Sequence, residues 1–203
     1  MTQDNKDPVQ QPVAAQPDPK QAAAERAARV AAAKKAREGA AEEAKPKREP
    51  SPIEPAVRQA LAAFNVEVDY SQDELVVRAA ADRNVEVLQT LKTTPGLELT
   101  YLRCLLAVDY VQELEVVYLL SSLTHPHKVM VKVRLPGVEE PRLRSATAVW
   151  KGADWHEREA HDLFGIVFEG HPDMSPLLLY EGFEGHPLRK SYEIAEQQER
   201  LGD

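Results

Sequence analysis

The chain has 203 residues, 43% of them hydrophobic, enough to fill one core of ordinary domain size with length left over for a tail. Its formal net charge of −8 argues against a general nucleic-acid binder, which needs an excess of Lys and Arg to displace counterions. Its single cysteine, Cys104, excludes an internal disulfide, a four-Cys zinc site and a thiolate-ligated iron–sulfur cluster, and suits a reducing compartment.

Residues 1–52 differ from the rest. They hold no aromatic side chain, and Met1, Val9, Val13 and Val30 are their only large aliphatics. Such a segment buries too little apolar surface to offset its ordering entropy, so a disordered tail is expected. Its middle, QAAAERAARVAAAKKAREGAAEEAK, has high helix propensity but no apolar stripe wider than alanine. That predicts a solvated, fraying helix or a partner-binding tail. Arg26 to Arg37 has the Ala, Arg and Lys of a mitochondrial presequence, but the acids around it, Asp4 to Glu49, argue against one. There is no apolar signal core. The tail carries 10 basic and 8 acidic residues and the remainder 15 and 25, so the acidic part is the part expected to fold.

From Ile53 the pattern becomes globular. Pro55 to Phe64 reads as a helix, with Val57, Leu61 and Phe64 on one face. Val66 to Tyr70 and Leu75 to Ala79 read as strands joined by a polar Ser-Gln-Asp turn. Asn84 to Lys92 reads as a second helix, capped by Asn84, lined by Val85, Leu88 and Leu91, and ended by Pro95-Gly96.

Three strands follow, at about Tyr101 to Tyr110, Glu115 to Leu123 and His127 to Leu135. In the third, Val129, Val131, Val133 and Leu135 alternate with Met130, Lys132 and Arg134, the mark of a sheet with one covered face. Short connectors favour an antiparallel meander. The expected fold is α+β: a small, mostly antiparallel sheet with helices packed on one face. No apolar run approaches the ~20 residues of a membrane span. The most hydrophobic stretch, Leu114 to Leu123, carries Glu115 and two serines and reads as strand.

After Pro136-Gly137, Ser145 is a candidate N-cap for a helix. Ala146, Val149, Trp150, Ala153, Ala160 and Phe164 fall on its apolar stripe, and Glu157 falls in the middle of that stripe. A carboxylate there needs a partner or a neighbouring subunit. Alternatively Gly152 breaks the helix, and Asp154 and Glu157 form a D-x-x-E capping pair.

Two readings fail, one on spacing and one on context. His156 and His161 are five apart, which on one helix separates them by about 140° and prevents chelation of one ion. His171-Pro172-Asp173 is shared with J-domain co-chaperones, but their flanking antiparallel helices are not legible. No nucleophile converges on Glu157 and Glu159, so a salt-bridge network with Arg158 is the plainer reading. The pentapeptide FEGHP occurs at Phe168–Pro172 and again at Phe183–Pro187. His171 and His186 are there either for a metal or, more simply, to reach back to a carbonyl. From Phe168 onward Gly and Pro leave little room for regular structure beyond Leu177 to Tyr180. So long an irregular segment makes better sense as an arm lying on a partner.

The run SATAVWKGADWHEREAHDLFGIVFEGHPD, Ser145 to Asp173, resembles the signature of the 30-kDa subunit of respiratory complex I, the subunit designated C in bacterial NADH–quinone oxidoreductase. The resemblance rests on Glu157, Arg158, Glu159, Asp162, Phe164, Gly165, Ile166, Phe168, Gly170, His171, Pro172 and Asp173, and continues in Gly185 and Pro187-Leu188-Arg189-Lys190. Val108-Asp109-Tyr110 and Val116 to Leu119 also look like the family's strands, and the whole match covers about Ile53 to Tyr192. His161 stands where relatives usually carry an aromatic residue, and Ser175 where they usually carry a basic one. Ser191 and Glu193 replace an acid and a proline beside the tyrosine.

The resemblance implies a non-catalytic peripheral-arm subunit on the cytoplasmic side of the bacterial cell membrane, touching the membrane only through its complex. It would pack against the subunit designated D, which helps form the quinone pocket, and near the cluster-bearing subunits. FMN and the iron–sulfur clusters would lie in partner subunits, with no cofactor or metal in this chain. Glu157, Arg158, Glu159 and Asp162 would form a structural or interface charge network, with Arg189 and Lys190 in the arm. The implied organisation is a tail at 1–52, an α+β domain at 53–166 and a Gly/Pro-rich, partner-binding arm at 167–203.

Overall fold

A computed structural model describes residues 51–71, 74–137 and 139–192. The chain divides into two units, 1–49 and 50–203, and the described residues belong to the second. The expectations for the tail, for Gln72 and Asp73 of the first turn and for Glu193 lie outside the described residues.

Helix α1 (Glu54–Ala60) starts with Pro55 in its first turn, where the missing N–H costs no hydrogen bond. It ends before Leu61, earlier than the Val57/Leu61/Phe64 spacing predicts, and the chain then bends through Asn65 at φ +40°. Strands β1 (Glu67–Ser71) and β2 (Glu74–Ala79) pair antiparallel, with Val68 opposite Val77. A 3₁₀ turn, Ala81–Arg83, leads into helix α2 (Asn84–Thr93). Val87, Leu88 and Leu91 are buried on α2.

Asn84 is not the cap expected of it. Arg83 holds that position without a side-chain bond, and Asn84 lies in the first turn, fully buried. There its Nδ2 donates to the Arg144 carbonyl at 2.7 Å. A long-range bond has won over the local capping bond.

Strands β3 (Tyr101–Asp109), β4 (Glu113–Ser121) and β5 (Lys128–Pro136) form the expected antiparallel meander. The sheet order is β1-β2-β5-β4-β3, and β2 runs parallel to β5, with Val77 opposite Val131. That parallel pair needs a long crossover, supplied here by α2, β3 and β4. Val129, Val131, Val133 and Leu135 enter the core as their alternation predicts, beside Val116, Tyr118, Leu120, Val57, Leu88 and Leu91. Glu115, the acid in the most apolar stretch, is buried. Lys132 meets it at 3.2 Å, Arg134 at 3.5 Å and Arg78 at 3.9 Å, which offsets the cost of burying its charge.

Two short strands went unpredicted. Strand β6 (Arg142–Arg144) and strand β7 (Val167–Glu169) pair parallel around helix α3 (Ala153–Phe164). Each is three residues long, too short for alternation to register.

Ser145 does not cap α3 either. An isolated turn, closed by Val149 and Trp150 N–H donating to the Ala146 carbonyl, follows Ser145, and α3 begins only after Gly152. Nor do Asp154 and Glu157 form a capping pair, because no side chain caps this helix. Among the described residues no helix is long and apolar enough to cross a membrane.

Candidate functional site

Helix α3 carries the signature, and its two faces do different work. Glu157 points inward and is fully buried. Its Oε2 accepts the Ser145 hydroxyl and its Oε1 the Ala146 N–H, both at 2.6 Å. The carboxylate in the apolar stripe therefore has its partner in the turn before its own helix. Burial pushes its pKa up to about 7, with help from the Asp154 charge and against the pull of the two hydrogen bonds. Burial, and then the Glu157 charge, also push the Tyr118 hydroxyl well above its ordinary value.

His171 closes this cluster from the Gly170 turn. Its side chain is 0% exposed, and Nε2 lies 3.3 Å from Asp154 Oδ1 and 4.0 Å from Glu157 Oε2. Nε2 is also 3.3 Å from the Asp154 carbonyl oxygen. Its Nδ1 accepts the Asp173 N–H at 3.1 Å, which leaves the ring hydrogen on Nε2, facing Asp154. Gly170 at φ +81° sets the reversal, and Pro172 follows on the surface.

The other face and the end of α3 hold the arm. Arg158 donates from Nε to the Ser175 carbonyl at 2.9 Å, and from Nη2 to Ser175 Oγ at 3.1 Å and the Pro176 carbonyl at 3.2 Å. Its guanidinium also lies 5.6 Å from the Trp155 ring centroid. A basic residue at 175 would repel Arg158, whereas the serine here binds it. Asp162 Oδ2 accepts the amides of Leu177 at 2.9 Å, Leu178 at 2.8 Å and Leu179 at 3.2 Å. Burial alone would raise the Asp162 carboxyl. The three N–H donors, aided by His161, hold it below the usual carboxylate range.

Gly165 ends α3 in the left-handed conformation, φ +67°, its N–H bonded to the His161 carbonyl at 2.7 Å. A Cβ there would lie 2.3 Å from His186 Nε2, so the glycine also admits the His186 ring. His186 Nδ1 sits 2.8 Å from the Asp162 carbonyl oxygen, and His161 Nδ1 2.9 Å from that of Ile166. Leu188 N–H donates to Leu163 O at 3.1 Å, and Arg189 Nε to Phe164 O at 2.7 Å. The Lys190 N–H donates to Asp109 Oδ2 at 2.7 Å, tying the arm to the end of β3.

The structure thus gathers Glu157 and His171 into a buried cluster, with exposed Gly170 in the turn that presents His171, and Arg158, Asp162, Phe164, Gly165, Arg189 and Lys190 along the arm. Glu159 is exposed and joins neither group. His171 and His186, the histidines of the repeated pentapeptide, both reach carbonyls of α3. Asp109, Ser145 and Asp154 were not singled out as site residues. Each had a signal of another kind: Ser145 as a helix cap, Asp154 as half of a D-x-x-E capping pair, and Asp109 within the Val108-Asp109-Tyr110 strand. Among the described residues no three His, Cys, Asp or Glu side chains are arranged to hold one metal ion.

The family described as the 30 Kd subunit of respiratory-chain NADH dehydrogenase matches residues 77–198. The chain belongs to that family. It is 40% identical over 155 residues to the C-designated subunit of NADH-quinone oxidoreductase of Chloroherpeton thalassium, covering 73% of this chain and 64% of the relative. It is 40% identical over 157 residues to the same subunit of Chlorobium phaeobacteroides, covering 69% and 92%. Against a counterpart from Rhizobium meliloti the match is 42% over 120 residues, covering 58% of this chain and 65% of the relative. The chain therefore spans less than two thirds of several relatives in the family. Its fold is also similar to a chain of the membrane-bound sulfane sulfur reductase, an archaeal respiratory membrane complex. That match has a TM-score of 0.61 at 27% identity and covers 71% of this chain and 88% of that one.

Proposed function

We propose that this chain is a non-catalytic structural subunit of the peripheral arm of NADH–quinone oxidoreductase. It packs against the subunit designated D, near the quinone site and the cluster-bearing subunits. The assembly passes electrons from NADH to quinone and couples this to proton translocation, with FMN and the iron–sulfur clusters held by the partners. The chain itself binds no nucleic acid and meets the bacterial cell membrane only through the complex, on its cytoplasmic side.

One observation carries this reading. Arg158 and Asp162 of the charged signature hold the chain's own arm against α3, and the arm so held turns apolar side chains outward. Leu178 is 59% exposed, Tyr180 71% and Leu188 53%, beside Trp155 at 63%. Large exposed apolar side chains grouped in this way mark a surface for another protein. In the proposed organisation residues 53–166 are the body and 167–203 the docking arm, with 1–52 as a tail.

Affinity capture of the tagged chain from gently solubilised membranes, with mass spectrometry of its companions, tests the proposal. Recovery of an NADH-oxidising assembly that contains the subunit forming the quinone pocket is the expected result. A different large subunit, such as that of a membrane-bound hydrogenase, would assign the chain to a related complex. The chain recovered alone would overturn the proposal.

A further inference from the structure

A groove lies apart from the arm, between the start of β3 and the turn that precedes α3. Its volume is about 620 Å³. Trp150, Tyr101, Thr100, Thr147, Lys92 and Lys151 line it. Its walls are braced. Trp150 Nε1 donates to the Thr100 carbonyl at 3.0 Å, and Lys92 Nζ donates to the Val149 carbonyl while lying 5.8 Å from the Trp150 ring centroid.

The charge of the groove is opposite to that of its surroundings. Residues 53–203 carry 25 acidic and 15 basic side chains, yet no Asp or Glu lines this groove among the described residues. Two lysines without a carboxylate between them make a local positive potential that attracts and orients an anion. An aromatic side chain in its lining is left unburied: Tyr101, 50% exposed. Aromatic side chains beside a cation are what protein interfaces use as anchors. A small free anion would pair with the lysines and leave the Tyr101 ring in water, whereas a polypeptide segment covers it.

We infer that this groove receives a carboxylate-bearing segment of a neighbouring protein subunit. Lys151 Nζ pairs with the carboxylate, the Thr100 hydroxyl supplies a hydrogen bond, and Tyr101 packs over the incoming chain. The inference rests on the subunit reading above and adds the chemistry of the partner at a second surface.

The test uses the assembly captured through the full chain. A water-soluble carbodiimide condenses a lysine amine with a carboxylate lying against it, itself taking up the elements of water to leave as a urea, and mass spectrometry of the digest locates the new amide. The expected product joins Lys151 to an Asp or Glu of another subunit. Lys151→Glu, which sets like charges face to face, is expected to lower recovery of that subunit about tenfold or more. The melting temperature of the isolated variant should not move, since Lys151 is exposed.

Lys151 coupled only to carboxylates of its own chain would overturn the inference. So would Lys151 as reactive toward an amine reagent in the assembly as in the isolated chain. Protection that disappears on removal of lipid would give the groove to an anionic headgroup, which also overturns it. Capture of the chain with no companion refutes the subunit reading itself, and is told apart because no second subunit is then present to be coupled.

Discussion

The Asp162 carboxylate accepts the amide of Leu178 at 2.8 Å, and the same oxygen accepts the amides on either side of it. One side chain at the end of α3 thereby satisfies three consecutive backbone donors of a segment that has no ladder of its own. Asp162→Ala leaves those amides without their acceptor, at a cost of roughly 1–3 kcal/mol. Limited proteolysis should then cut within residues 176–192 faster than in the parent protein, while the sheet stays intact by circular dichroism. Uniform loss of the whole fold would show that the arm is not a separable layer.

The same carboxyl gives the arm a dependence on pH. Its folded pKa lies below the ordinary value, so its contribution to stability is complete above the unfolded pKa. That contribution fades as pH falls through the folded value. Arm cleavage should rise in acid, and Asp162→Asn should flatten that rise. Identical profiles for the two proteins would count against the assignment.

Glu157 works in the opposite direction. Burial raises its pKa to about 7, so the folded state holds this proton more tightly than the unfolded chain does. Stability should fall as pH rises from the ordinary carboxylate range to about 7, then level off. Urea titrations at several pH values should show this slope in the parent protein and its loss in Glu157→Gln. Glu157→Ala should destabilise at every pH, by about 2–5 kcal/mol, because the Ser145 hydroxyl and Ala146 amide lose their acceptor in a buried site.

Gly165→Ala combines two penalties. A left-handed φ of +67° costs a Cβ residue about 1–2 kcal/mol, and the methyl group would overlap the His186 ring. The double variant Gly165→Ala/His186→Ala should recover the steric part and leave the backbone part. Additive destabilisation, with no coupling in the double-mutant cycle, would mean that the ring moves aside freely.

The strands were legible where periodicity was long enough to read. Val129, Val131, Val133 and Leu135 declare an inward face, and the short connectors declare the meander. Glu157 was legible as a problem, a carboxylate on an apolar stripe, but not as a solution. Its acceptor role depends on Ser145 lying across a turn that the helix-forming residues 146–151 disguise as helix. Asn84 misled for the same reason, since a good local cap is spent on Arg144 of β6. The arm was legible as irregular and not as anchored. Its fastenings are mostly backbone groups, the amides of Leu177, Leu178, Leu179, Leu188 and Lys190 and the carbonyls of Ser175 and Phe164, and a sequence does not say which backbone groups stay unpaired.

The central claim is that the signature builds a docking surface and does no chemistry. Arg158→Ala tests it most directly, because Arg158 holds the arm at Ser175 and Pro176 and touches nothing buried with Glu157. The measurement is the amount of assembled complex in membranes together with NADH–quinone turnover per assembled complex. A marked fall in assembled complex, with turnover per complex unchanged, is the predicted result. Normal abundance of a complex that no longer reduces quinone would contradict the account.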